Sequence, residues 1–213
     1  MDYVLTILPD ILKGLLLSLE IYIIAVVLIL PLAVLAAIGK VSGPVFLKKI
    51  LFLYTWIWRG TPLLLQLFFI YYALPYLGIV LSPFTAVIIA FVLNVGAYET
   101  EIIRAGIESI DKGQYEAAKA LGMNYVQTMR RIIIPQTIRR VLPATCSEAI
   151  LTFKDTALVA AIAMSDLLRS AKEIVTRDFK ITPFFVAFII YLIISSILVQ
   201  IFARLEKRFS IYE

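Results

Sequence analysis

Thirty-nine consecutive residues, 60–98, carry no charged side chain. A helix rising about 1.5 Å per residue needs about 20 apolar residues to cross a bilayer, so the run is too long for one crossing. Pro75, Gly78, Ser82 and Pro83 mark a hairpin between two. Residues 21–39 and 181–203 form two further charge-free runs, of 19 and 23 residues. The chain of 213 residues is 62% hydrophobic with mean hydropathy +0.95, whereas a soluble domain is nearer half apolar. That surplus needs lipid to face. The expectation is an all-α polytopic membrane protein, a single transmembrane domain over residues 1–213 with about five transmembrane helices.

The spans are expected near residues 11–38, 50–77, 84–105, 138–164 and 183–203. Pro31 should kink the first. Arg59, Gly60, Thr61 and Pro62 interrupt the second. Tyr71, Tyr72 and Tyr76 gather where an interfacial aromatic belt would stand. Past Asn94, Glu101, Arg104 and Glu108 follow at three- and four-residue spacing and predict a ladder of ion pairs. The fourth span carries Glu148, Lys154 and Asp155, so it must face protein or water, and a break near Lys154 fits. Residues 165–182 read as a mixed-charge connection.

Much chemistry is excluded. The chain has no histidine, which removes histidine-based acid–base catalysis and most metal sites. The single cysteine, Cys146, allows no internal disulfide. No glycine is followed five residues later by Gly-Lys, so the phosphate-cradling loop of nucleotide-binding proteins is missing. Glu99 and Glu101 are two apart and point to different helix faces. Basic residues lie between apolar spans, not on one exposed face, which argues against nucleic acid. The start, Met1, Asp2, Tyr3, lacks the positive region and cleavage site of a signal peptide. No catalytic site is read: the chain is not expected to be an enzyme, to hold a metal or to bind a cofactor.

The longest charged passage, residues 116–135, cannot lie in hydrocarbon. Tyr115, Ala118, Gly122, Tyr125, Met129 and Ile132 recur at helical spacing, predicting one amphipathic helix that Pro135 ends. Glu116, Ala117 and Ala118, then Gly122, then Ile132, Ile134 and Pro135 resemble the EAA signature of permease subunits of ATP-binding-cassette (ABC) importers, with isoleucine at 134 where leucine is usual. Arg59-Gly60-Thr61-Pro62, and Ala97-Tyr98-Glu99-Thr100-Glu101 before Arg104-Ala105-Gly106, resemble the branch importing polar amino acids. The resemblance spans residues 18–208. It implies a cytoplasmic coupling loop near residues 108–136, in which Glu116, Ala117, Ala118 and Gly122 meet a separate ABC ATPase that binds the ATP. It also implies a second permease subunit, identical or related, and an extracytoplasmic amino-acid-binding protein, all at a bacterial inner membrane.

Orientation follows from the basic residues. With the N-terminus outside, the loops expected inside hold fourteen of the twenty lysines and arginines. Arg169, Lys172, Arg177 and Lys180 are the discord. Asn94 and Glu148 fall at similar depth, near the bilayer middle, where transporters hold substrate. A carboxylate there calls for a cation, either Lys154 or an arriving basic amino acid, so Asn94 and Glu148 are the candidate substrate residues. An ATP-independent secondary carrier or channel is the alternative.

Overall fold

The computed structural model describes residues 2–209. The first helix, α1 (Asp2–Ser42), runs unbroken for 41 residues, with Pro9 and Pro31 inside it. Its buried stripe, Ile7, Ile11, Gly14, Ser18, Ile21 and Ala25, repeats at three- and four-residue steps. A carbonyl left unbonded by an inner proline does not break a helix whose stripe is packed along its whole length.

The interruption at residues 59–62 is real and sharp. Helix α2 (Val45–Gly60) meets the segment that begins with α3 (Leu63–Phe68) at 104°. Thr61 and Pro62 are both extended there. The second segment continues through a π-helical turn at Phe69–Ala73 and a 3-10 turn at Leu74–Leu77, closed by Gly78. The expected second span is thus a bent pair. Helix α4 (Pro83–Glu108) is capped by Ser82, whose side chain accepts from the Thr85 amide at 3.1 Å.

The charged passage folds differently from its expected single helix. It holds α5 (Lys112–Ala120), a turn, and α6 (Tyr125–Thr128). Gly122, at φ +74, closes α5: its amide donates to the Lys119 carbonyl, and the Met123 amide to the Ala118 carbonyl. Asn124 and Gln127 then form a reciprocal capping box that starts α6. Nor does Pro135 stop the helix. A π-helical turn at Met129–Ile133 leads into α7 (Ile134–Asp155), with the proline in its first turn, where its missing N–H is not needed.

Helix α7 gives way near Lys154 to a 3-10 segment, Thr156–Ile162. Residues expected as a connection form the amphipathic α8 (Leu167–Asp178), burying Leu167, Ala171 and Ile174. Asp166 caps it, accepting from the amides of Leu168 at 3.1 Å and Arg169 at 3.0 Å. Helix α9 (Thr182–Phe209) buries only Pro183 and Ala187.

Among the described residues, α1, α4 and α9 are each long and apolar enough to cross a membrane, and the bent α2–α3 pair makes a fourth. One core joins α1, α3, α4 and the 3-10 segment around Ile21, Leu67, Phe91 and Val159. Another joins α1, α8, α9 and the end of α7 around Ile11, Phe153 and Leu167. A third, of Ile107, Ile110, Met129 and Ile133, fastens the charged passage to the end of α4.

Candidate functional site

The helix break and Asn94 belong together. In a continuous helix the Trp58 carbonyl would accept from the amide of residue 62, but Pro62 has none. A bare carbonyl is costly where no water reaches it. The Asn94 side chain donates to that carbonyl at 2.8 Å and to Gln66 Oε1 at 2.9 Å. Gln66 Nε2 donates to the same Trp58 carbonyl at 2.9 Å and to Thr61 Oγ1 at 2.6 Å. Thr61 in turn donates to the Ile57 carbonyl at 2.9 Å. Both Asn94 amide hydrogens are therefore committed to the α2–α3 joint, leaving Oδ1, an acceptor. Sequence reasoning missed Gln66, although a lone amide inside Leu63–Phe68 was its signal.

Helices α4 and α7 pack side by side. Thr137 and Val141 lie over Gly106, and the Thr145 hydroxyl donates to Glu99 Oε2 at 3.0 Å. Carried one more turn, this antiparallel register sets Asn94 level with the turn holding Glu148. The two side chains do not meet, since Asn94 points into the α2–α3 joint. Glu148 is half-buried, and among the described residues no ion pair links it to Lys154, which is exposed. Asp155 lies seven residues beyond Glu148, two turns along a similar side of α7. Glu99, 2% exposed, faces a separate cavity of about 200 Å³ between α1, α4, α7 and α9.

The expected ladder on α4 forms, and it is larger than a ladder. Arg104 pairs with Glu101 at 2.8 Å and with Glu108. Lys40 from α1 also bonds Glu101, while donating to Thr55 of α2 at 2.8 Å. Arg59 approaches Glu101 at 3.9 Å. One carboxylate thus ties three helices together. Only its local half was legible, because Lys40 and Arg59 arrive from distant elements.

The candidate coupling residues sit on α5 and its closing turn. Glu116 and Ala117 are exposed, and Ala118 is turned inward and fully buried. Glu116 is the fifth residue of α5 and not at its start. A side chain at Gly122 would meet nothing within 4 Å in this chain, so the left-handed backbone is what calls for glycine there. Leu121 beside it is 80% exposed. Ser42 bonds the Tyr125 hydroxyl, tying α6 to the end of α1, and Arg140 bonds the Ser109 carbonyl, tying α7 to the end of α4.

Long apolar helices, a charged double-helix loop projecting from their ends and ionisable groups within the bundle define a membrane-embedded transport subunit. The chain belongs to the family of binding-protein-dependent transport system inner membrane components, whose model matches residues 7–211. It is 40% identical over 200 residues to a putative glutamine transport system permease protein of Rickettsia typhi, covering 93% of this chain and 92% of the relative. It is 37% identical over 202 residues to the arginine transport system permease protein of Bacillus subtilis, covering 94% and 92%. The crystal structure of an amino acid ABC transporter with histidines superposes with TM-score 0.90 at 35% identity, covering 97% of both chains. An inward-facing MetNI methionine ABC transporter shares the fold at TM-score 0.75 and 15% identity.

Proposed function

We infer that the chain is the membrane permease subunit of an amino-acid ABC importer, and that its cargo is a basic amino acid. Family membership and the 35% identical solved transporter favour this over an ATP-independent carrier. The permease pairs with a second, identical or related, permease subunit. A separate ATPase dimer binds the ATP, and an extracytoplasmic binding protein delivers the amino acid. The N-terminus faces out; α5, α6 and the C-terminus face the cytoplasm. The exposed side of α5, with Glu116, Ala117, Gly122 and Leu121, seats on the ATPase. Because α6 runs on into α7, movement there reaches Glu148.

The observation that carries the substrate class is Glu148. It is half-buried midway along α7 with no basic side chain bonded to it among the described residues. An ammonium or guanidinium completes it, while Asn94, level with it but turned into the α2–α3 joint, stands away from that cation. The test is substrate-stimulated ATP hydrolysis by the assembled complex in liposomes, with arginine, lysine and glutamine in turn. Glu148→Gln should assemble normally and lose arginine affinity by roughly tenfold or more, as expected for a lost charge-assisted hydrogen bond. A well-assembled Glu148→Gln complex with unchanged arginine response would sink the substrate reading. One that fails to assemble would make Glu148 a structural ion.

A further inference from the structure

One face of α2 is unlike the rest of that helix. Lys48, Lys49, Phe52, Trp56 and Arg59 recur at three- and four-residue spacing and look onto an open cleft of about 580 Å³. Lys40 of α1 and Arg104 of α4 close its far wall, and among the described residues Glu101 is the only acid lining it. That carboxylate is already shared by Lys40, Arg104 and Arg59. Lys48 donates one hydrogen to the Val41 carbonyl at 2.8 Å, and neither Lys48 nor Lys49 has an acidic partner among the described residues. The cleft is therefore left net cationic.

Its rim is apolar. Phe52 is 61% exposed and Trp56 65%. Trp56 and the lysines together match the composition of a membrane–water boundary, where indole rings and ammonium groups settle at head-group level. The cleft opens at the end of α1 that also carries α5 and α6, the side read as cytoplasmic. A small soluble anion would satisfy the cations and leave the aromatic rim unused. A ligand with an anionic head and hydrocarbon tails uses both.

We propose that this cleft binds an anionic phospholipid. Its phosphodiester sits at Lys48 and Lys49, in the first turn of α2, and its acyl chains lie along Phe52 and Trp56 further up the same face. Basic pockets between helices on the cytoplasmic side are the expected receptors for such head groups. The proposal rests on the chain's membrane setting and is independent of the substrate reading.

The test is native mass spectrometry of the full-length permease, alone and in its complex. It is titrated with phosphatidylglycerol, with phosphatidylcholine of the same acyl chains, and with glycerol 3-phosphate. Phosphatidylglycerol should be retained preferentially. Lys48→Gln/Lys49→Gln should erase roughly thirtyfold of that preference, given roughly fivefold per lysine near a charged surface. Lys13→Gln/Lys172→Gln, the same charge change at the other end of the molecule, should not. Equal retention of the two lipids, or an unaltered preference in the Lys48/Lys49 variant, overturns the proposal. Binding of glycerol 3-phosphate as tight as the lipid makes the cleft a soluble-anion site and also overturns it. If the variant instead dissociates paired permeases while keeping lipid, the face is a subunit interface and the proposal fails. The lipid-exchange arms use the unmodified protein, so they decide the matter even if the variant folds poorly.

Discussion

Replacing Asn94 with leucine tests the account of the helix break most directly. The substitution keeps the side-chain volume and deletes two hydrogen bonds, at 2.8 Å to the Trp58 carbonyl and 2.9 Å to Gln66 Oε1. Interhelical hydrogen bonds in membrane proteins average about 0.6 kcal/mol each and reach about 1.7. Asn94→Leu should therefore cost about 1–3 kcal/mol. At roughly 2–4 °C per kcal/mol for a chain of this size, the melting temperature should fall by about 2–12 °C. Gln66→Leu should cost a similar amount, for its bonds at 2.9 Å and 2.6 Å to Trp58 and Thr61. The double variant is the decisive measurement. After either single change the Trp58 carbonyl keeps one donor, and after both it keeps none. With the Asn94–Gln66 bond, which either single removes, counted once, the double loss should then exceed the sum of the singles by about 1 kcal/mol or more, because a buried unpaired carbonyl carries its own desolvation penalty. Thermal unfolding in detergent at one fixed scan rate, followed by monodispersity, gives all four corners of the cycle. If Asn94→Leu melts with the unmodified protein, or the double change is additive, the carbonyl is not held as described.

Gly14 lies where α1 crosses the start of α8, and a Cβ there would meet the Asp166 carbonyl and Ser170 Oγ. Gly14→Ala should cost about 1–3 kcal/mol, read in the same melting assay, and a neutral result would mean that the two helices separate freely. Gly122→Ala forces an alanine to φ +74, costing about 1–2 kcal/mol locally. Amide exchange at Leu121, Gly122 and Met123 should quicken, Gly122→Asn should restore it, and equal exchange in both variants would contradict the left-handed closure of α5. At the end of α8, hydrogen bonds from Arg177 and Tyr3 hold the Asp178 carboxyl down at about 2. A depressed carboxyl adds stability above its ordinary value near 4, and that contribution disappears as pH falls from about 4 to about 2. The melting temperature should drop across that window more steeply than in Asp178→Asn, and parallel profiles would refute the pairing. For orientation, single cysteines at Lys112 and Gly78 should label from opposite membrane faces, and labelling of both from outside would reverse the topology.

Some of this was readable from one dimension because the physics is local. Charge-free runs longer than a bilayer dictate helices in lipid, whatever they pack against. Pro62 after Gly60 marks a place where a helix readily breaks, since its nitrogen has no hydrogen to give, although Pro9 and Pro31 inside α1 show that a proline alone does not decide it. Glu101, Arg104 and Glu108 meet because a helix brings residues three and four apart together. Two local signals were present but outvoted. Gly122 and the Asn124 to Gln127 box divide the charged passage into two helices, although apolar periodicity ran straight through them. Asp166 followed by Leu167, Ala171 and Ile174 already spelled a capped amphipathic helix, hidden by its many charges. Other features belong to the tertiary structure alone. Nothing in sequence pairs Asn94 with a carbonyl 36 positions away or with Gln66, 28 away. Lys40 reaches Glu101 across 61 residues. The cationic cleft exists only because α1, α2 and α4 end together. Sequence determined which segments leave water. Packing decided where the polar groups stranded among them would find partners, because in the absence of water only another part of the chain can supply them.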